Sequence, residues 1–472
     1  MSADETAVAA RAAFQASLEW LAGLEHRFVL PPEGQRALER FGGPLPEEGS
    51  GAEAALEELV AALDGATASS GPRFFHFVTG GVTPAALGAD WLTTALDQNS
   101  FSQVGSPLGT RLERVAIDWL KELFDLPAEW GGALSTGATG ANVMGLAAAR
   151  QWWGEQQGRD VGLEGMAGLP PIPVLSSGFV HPSARKALSV LGLGRDSVRT
   201  FTQDAVGHLD VSALAGALRE LDGAPAILIG NAGEVNAGEF DPIAEMADLA
   251  EEHGAWLHVD GAFGLFARVS PRVAHLAEGV ERAHSVIADG HKWLNVPYDS
   301  GFAFVRDAGL LAKVFSLAAA YLPSQEAEPT FGYLAIESSQ RARGLAVWAA
   351  LRAWGRSGYR TMVERHLDLA QRLAARVDEA EDLERLADVG LNHVCFRFRP
   401  PGVPEEELDE LNARVGAEVL VDGRVYVGTT SYAGRAAFRP AIVNWRTREE
   451  DVDLLVEVVR EVGSHLVTKS AR

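Results

Sequence analysis

The side chain in this sequence with the strongest claim to chemistry is Lys292. It lies in Asp289-Gly290-His291-Lys292-Trp293-Leu294-Asn295, between the apolar runs Ser285-Val286-Ile287-Ala288 and Gly301-Phe302-Ala303-Phe304-Val305. That spacing predicts a short turn between two buried strands, with an imidazole before the amine and an indole after it. Desolvation in such a turn disfavours the ammonium form and makes the amine a nucleophile able to form a Schiff base. The plainer alternative is a lysine snorkelling from a strand end.

A second candidate is Ala133-Leu134-Ser135-Thr136-Gly137-Ala138-Thr139-Gly140-Ala141-Asn142, a short strand running through small residues into a helix over 141–153. Small residues let the backbone approach a ligand closely. The amides of the helix start, with the Ser and Thr hydroxyls, then form an anion cup suited to a phosphate, without a Walker lysine. A purely steric reason for the small residues is the alternative. Two more residues follow strands: His181 comes after the run at 172–176, and Asp260 ends Ala255-Trp256-Leu257-His258-Val259 and precedes Gly261-Ala262. Ligands in open α/β sheets gather at the carboxyl ends of the strands, where Asp260 is well placed to face a cofactor nitrogen. Helix capping is its ordinary role.

The elements that must position these residues read as follows. Apolar runs near 172–176, 197–202, 225–230, 255–259, 284–288 and 301–305 alternate with helical patterns near 182–191, 210–221 and 242–252. Continuous runs such as Ala226-Ile227-Leu228-Ile229 suit strands covered on both faces, which predicts an open, mainly parallel α/β sheet. Asp241, Pro242 and Gly254 read as N-cap, first helical residue and terminator of the last of these helices. Ahead of the sheet come helical patterns at 4–26 and 51–64, forming an arm, and others at 84–97 and 109–124. The segment Gly71-Pro72-Arg73-Phe74-Phe75-His76-Phe77-Val78-Thr79-Gly80-Gly81 reads as a pocket-lining loop, with core filling as the alternative. Residues 316–335 suit a mobile lid. Two long helical stretches, 340–356 and 359–379, lead to a small α/β domain with strands near 392–398, 424–429 and 437–443, a helix at 404–416 and a final helix from 448 to 464. The expected division is an arm over 1–70, a large domain over 71–340, and linking helices with a small domain over 341–472.

A phosphate cup, a histidine, a strand-end aspartate and a Schiff-base lysine occur here in the order required to hold pyridoxal phosphate. On His291-Lys292-Trp293 and His258-Val259-Asp260-Gly261-Ala262, the chain resembles the group II pyridoxal-phosphate-dependent amino acid decarboxylases over about residues 70–445. The resemblance implies a fold type I, PLP-dependent transferase-like architecture and conversion of an L-amino acid to its amine and carbon dioxide. It makes Lys292 the attachment point of the cofactor, Asp260 the partner of the pyridine nitrogen, and His181 the ring stacked on the cofactor, with Ala262 on the opposite face. Ala138, Thr139 and His291 match the phosphate contacts, and His76 and Thr79 match the substrate side. A lid tyrosine, Tyr333 first and Tyr321 second, would return the proton. A homodimer with the site near the interface is likewise implied.

The chain departs from familiar members at Gly140, where many carry an acid, and at Gly233-Glu234-Val235-Asn236, where many carry Gly-Thr-Thr. Rival readings are an aldehyde-forming oxidative decarboxylase, another carbon–carbon lyase or an aminotransferase of the same cofactor class, and a catalytically silent scaffold. Arg73, Arg341 and Arg439 are candidate carboxylate binders, and the aromatic loop at 74–77 favours an aromatic substrate. Composition sets outer bounds. In 472 residues with 47% hydrophobic content and a formal charge of −23, a nucleic-acid role is not expected, because phosphate backbones would be repelled. An acidic N-terminus and the lack of a long apolar run point to a cytoplasmic protein without a membrane span. The lone Cys395 excludes an intramolecular disulfide and a cysteine-based metal site.

Overall fold

The computed structural model describes residues 3–31, 34–317 and 330–470. Its platform is a seven-stranded sheet made of the apolar runs: β1 (Gly131–Ser135), β2 (Val174–Ser176), β3 (Val198–Thr200), β4 (Ile227–Asn231), β5 (Trp256–Asp260), β6 (Ser285–Asp289) and β7 (Gly301–Val305). The order across the sheet is β1-β7-β6-β5-β4-β2-β3. The pairs β2–β3, β2–β4, β4–β5 and β5–β6 are parallel, and β7 runs antiparallel between β6 and β1. Every residue of β4, β5, β6 and β7 is buried, as a sheet with helices on both faces requires. The expected mainly parallel α/β architecture is therefore present, with its single reversed strand set by the short return from β6 to β7.

The helix after β1, Ala138–Gln156, is buried along most of its length and packs against β6 and β7. Its small residues permit that approach: a Cβ on Gly145 would come within 2.7 Å of the His258 ring. The helix Ile243–His253 ends at Gly254 in the left-handed region, φ 60, as expected. Its start differs from the sequence reading. Asp241 does not cap it; its buried carboxylate instead accepts from Ser177 Oγ at 3.0 Å and from Asn231 N and Nδ2 at 2.8 Å. Those bonds join β4 to the loop after β2, a tertiary use of Asp241 that local grammar does not reveal.

The two long helical stretches form one element, Gly344–Asp378, broken at Gly355 (φ 59, ψ 178). A second apolar core lies beyond it, where Leu369, Leu373 and Val377 meet Phe396, Phe398, Val415 and Val459. The small antiparallel sheet is made of β8 (Leu383–Arg385), β9 (Phe396–Phe398), β10 (Thr429–Tyr432) and β11 (Arg435–Phe438), in the order β10-β11-β9-β8. These strands are shorter than the apolar runs suggested. Residues 424–428 lie outside the sheet because Tyr426 pairs instead with Phe74, the two rings stacked at 4.9 Å. The N-terminal arm packs on its own chain through buried Leu24 and Val29, and Arg73 Nη2 donates to the carbonyls of Glu25 and Arg27.

Candidate active site

The carboxyl ends of β1, β5 and β6 and the amino end of β7 open on the same side of the sheet, where Lys292, His291, Asp260, His181 and the start of the helix at Ala138 come together. Lys292 sits in a single wide turn, Gly290–Leu294, at φ −88 and ψ −109. The turn is clamped from behind. Trp293 Nε1 donates to His366 Nδ1 at 2.8 Å, Tyr359 donates to the Leu294 carbonyl at 3.1 Å, and Asn295 Nδ2 donates to the carbonyls of Trp293 and Val443. From the front, Gly80 N–H donates to the His291 carbonyl, and a Cβ at Gly80 would lie only 1.7 Å from the Lys292 carbonyl oxygen. The aromatic loop is thus pressed against the lysine turn, at the cost of positive φ at Phe77 and Val78.

Lys292 has an acidic partner besides the imidazole and indole that flank it in sequence. Its Nζ lies 3.3 Å from Oδ2 of Asp289, whose side chain is only 2% exposed, and 5.7 Å from the centre of the Phe263 ring. Ionic pairing therefore accompanies the desolvation. Asp260, one strand away, accepts from Asn142 Nδ2 at 2.9 Å and from Ala262 N at 3.2 Å. His181 caps the Pro182–Val190 helix, its Nδ1 accepting from Ser183 N–H. Burial holds this imidazole below its ordinary pKa, against the pull of nearby Asp260. His291 Nδ1 donates to the Ser300 carbonyl at 3.0 Å, and its ring stacks on Tyr298 at 4.2 Å; burial also lowers its pKa. The Tyr298 hydroxyl is 3.2 Å from Thr79 Oγ1. His76, against Phe77 at 3.8 Å, is pushed down to about 4 by burial and then by Arg439.

Ala138 and Thr139 open their helix after Gly137, and no side chain caps it. A Cβ on Gly137 would meet His291 Cε1 at 3.4 Å and Asp289 Oδ1 at 3.5 Å, so helix start, imidazole and carboxylate border one space. Around it, the buried Ser135 Oγ, Ser300 Oγ and Asp289 Oδ1 have no hydrogen-bond partner among the described residues. Unpaired buried polar atoms beside an uncapped helix start are what an absent anionic group would satisfy. The donor set, the lysine and the strand-end aspartate fit pyridoxal phosphate.

Some expectations are redirected. Tyr333 is buried at the other end of β1, edge-on to Phe101 at 5.2 Å, beside a cavity of about 430 Å³ lined also by Trp130, Gly131 and Gly132. It is not among the groups around Lys292 of its own chain, because it lies by the amino end of β1 whereas the lysine turn lies by the carboxyl end. Tyr321 lies outside the described residues. Phe74 and Phe75 are core, leaving Phe77 as the exposed ring of the aromatic loop. Of the three arginines, Arg73 is bound to the arm and Arg341 pairs with Asp90. Arg439 is largely buried, donates to the Val235 carbonyl and has no carboxylate ion-pair partner among the described residues. Glu234 turns its carboxylate back onto Asn236 N and Ala237 N, bracing its own loop. Sequence reasoning missed Asp289, Tyr298 and the contacts of Asn142. Asp289 had a readable signal, an acid ending an apolar run three residues before the lysine.

Comparison with known proteins follows this geometry. Residues 46–399 match the family model described as pyridoxal-dependent decarboxylase conserved domain. The chain is 29% identical to an aromatic-L-amino-acid decarboxylase of Bacillus atrophaeus, over 81% of this chain and 79% of the relative. It is 31% identical to an L-2,4-diaminobutyrate decarboxylase of Rhizobium meliloti, over 93% and 88%. Among solved structures, the Oryza sativa TDC with PLP and tryptamine superposes with a TM-score of 0.89 at 23% identity, covering 99% of each chain.

Proposed function

The chain belongs to the pyridoxal-dependent decarboxylase family and is a pyridoxal-phosphate-dependent amino acid decarboxylase, and from that premise we propose how its own residues divide the work. When bound, the cofactor accepts the electron pair left on the α-carbon as carbon dioxide departs. Lys292 Nζ would be the attachment point, and Asp289, at 3.3 Å, holds its ammonium group in place as the ion-pair partner. Asp260 holds the proton on the ring nitrogen. The amides of Ala138 and Thr139, with His291, receive the phosphate. His181 and Ala262 would hold the two faces of the ring, and the His181 imidazole would return the proton to the α-carbon. His76, Thr79 and Phe77 border the substrate, and Tyr298, bonded to Thr79, joins them. The observation that carries this reading is the meeting of Lys292, Asp260, His181 and an uncapped helix start at neighbouring strand ends.

For the substrate, we favour an L-amino acid with an aromatic side chain, with Arg439 as the counter-charge for a carboxylate. Phe77 and Tyr298 offer exposed rings beside Thr79, and Glu234, the acid near Arg439, is occupied by its own turn. A homodimer is supported by apolar side chains exposed on the arm and the nearby helices, among them Leu45, Leu59, Leu92 and Val104. Among the described residues no helix is long and apolar enough to cross a membrane. A cytoplasmic setting is supported by a single cysteine kept buried as a free thiol. The test is carbon-dioxide release from a panel of aromatic, diamino and acidic L-amino acids, with amine, aldehyde and peroxide measured together. Amine in proportion to carbon dioxide, largest for an aromatic acid, is expected. Preference for a diamino or acidic acid would remove the aromatic reading, and aldehyde with peroxide would replace the amine reading.

A further inference from the structure

Asn142 touches the two side chains on which the proposed chemistry depends. Its Nδ2 donates to Asp260 Oδ2 at 2.9 Å and to Ser183 Oγ at 3.2 Å, and Ser183 Oγ is 2.7 Å from His181 Nδ1. Its Oδ1 is 2.8 Å from His258 Nε2; His258 Nδ1 is 2.8 Å from Ser285 Oγ, which receives the Trp256 indole N–H at 3.0 Å. We propose that Asn142 is a positioning residue that sets both the Asp260 carboxylate and the His181 tautomer, as the junction of a one-way run of hydrogen bonds from Trp256. This rests on the reading of Asp260 and His181 as the groups facing the cofactor ring.

The direction of the run follows from donor chemistry. The Asp260 carboxylate only accepts, so Asn142 turns Nδ2 to it and Oδ1 to His258 Nε2, which must donate; the His258 Nδ1 then accepts the hydroxyl hydrogen of Ser285, whose oxygen accepts from Trp256. Neutral His258 then carries its hydrogen on Nε2 and gives it to Asn142 Oδ1. Burial pushes the His258 pKa to about 4, which keeps it neutral near pH 7. With its oxygen so engaged, Asn142 presents both amide hydrogens forward, one to Asp260 and one to Ser183. Ser183 in turn donates its hydroxyl hydrogen to His181 Nδ1, which also accepts the Ser183 backbone N–H at 3.2 Å. A nitrogen that accepts from both cannot hold the ring hydrogen, so the hydrogen of neutral His181 sits on Nε2.

Only a primary amide supplies one acceptor and two donors in a fixed plane. Aspartate at 142 has the same shape but no donors, and would face Asp260 with a second carboxylate. Asn142, His258 and Ser285 are fully buried and Trp256 is 2% exposed, so water does not replace a broken link.

The two branches separate experimentally. The dissociation constant for pyridoxal phosphate, the visible circular dichroism of bound cofactor, and kcat and KM are measured for the full-length wild type, Asn142→Asp, Asn142→Ser, Ser183→Ala and Asp260→Ala, with thermal unfolding of each cofactor-free chain. Asn142→Asp is expected to weaken cofactor binding by about tenfold or more and to diminish the visible dichroism. Asn142→Ser guards against misfolding of that variant and is expected to lose dichroism while still unfolding cooperatively, at a lowered temperature. Ser183→Ala should lower kcat by about fivefold to tenfold with KM and cofactor affinity within about twofold of wild type. Wild-type affinity and dichroism in a folded Asn142 variant, or an unchanged kcat in Ser183→Ala, overturns the proposal alone. Undiminished cofactor binding by Asp260→Ala overturns the reading beneath it.

Discussion

Lys292 and Asp289 form a close pair in which the carboxylate is buried and the lysine side chain is 15% exposed, so the nucleophile is stored as half of an ion pair. Replacing one partner leaves the other charge without compensation. Lys292→Ala is therefore expected to reduce decarboxylation by about a thousandfold or more, since no other amine is placed to do its work; a single-turnover assay retaining near-normal carbon-dioxide release would contradict the assignment. Asp289→Asn keeps the shape but removes the charge that pairs with Lys292, and should lower kcat by about tenfold to a hundredfold with little change in KM. A larger rise in KM than fall in kcat would show that Asp289 acts on substrate binding instead. Lys292, Asp260 and His181 were legible in the sequence because each follows an apolar run, and strand ends are where α/β sheets place ligands. The part of Asp289 is not legible in the same way, because sequence does not show which way a side chain turns. Tyr298 carried no signal, as it lies in an aperiodic return between strands and meets His291 and Thr79 only in three dimensions.

At the scale of elements, the lysine turn is held between the long helix behind it and the aromatic loop in front. Gly80 is the point of closest approach. Gly80→Ala is expected to shift the turn, destabilising the chain by about 1–3 kcal/mol and weakening cofactor binding; a variant with unaltered unfolding and cofactor affinity would show that the loop yields freely. The central strands were readable because each is a continuous apolar run buried on both faces, as at Ile227–Ile229. The small sheet was less so: β10 is mostly exposed and supplies little apolar pattern. The long helix read as two because Gly355 punctuates it, which matches the backbone break there. Tyr333 was misplaced because the pattern of a connection does not tell which end of a sheet it returns to.

Across the whole molecule, burial keeps histidines uncharged. His76, His258 and His284 are pushed down to about 4 and His366 to about 3, and His181, His291 and His393 shift in the same direction. The unfolded chain takes up protons at these groups below about pH 6.5 while the folded chain does not, so they reduce stability as pH falls from about 6.5 to 4. Glu113, raised to about 7, and Asp241, raised to about 6, with Glu234 and Asp451 shifted the same way, act oppositely: burial makes them take up protons more readily in the folded chain than in the unfolded one, which favours the folded chain in acid, an advantage lost as pH rises through their folded values. Seven lowered histidines outnumber the four raised acids together with His208, which burial lowers less than Asp204 and Glu239 raise it, and this predicts a net fall in unfolding temperature between about pH 6.5 and 4.5; a flat or rising profile would contradict the buried neutral state. The central claim, that this chain holds pyridoxal phosphate on Lys292, is tested most directly by the visible spectrum of the purified protein supplied with the cofactor, followed by borohydride reduction and peptide mapping. A visible band that reduction fixes to the peptide containing Lys292 is the predicted result; no band, or a label on any other lysine, would contradict it.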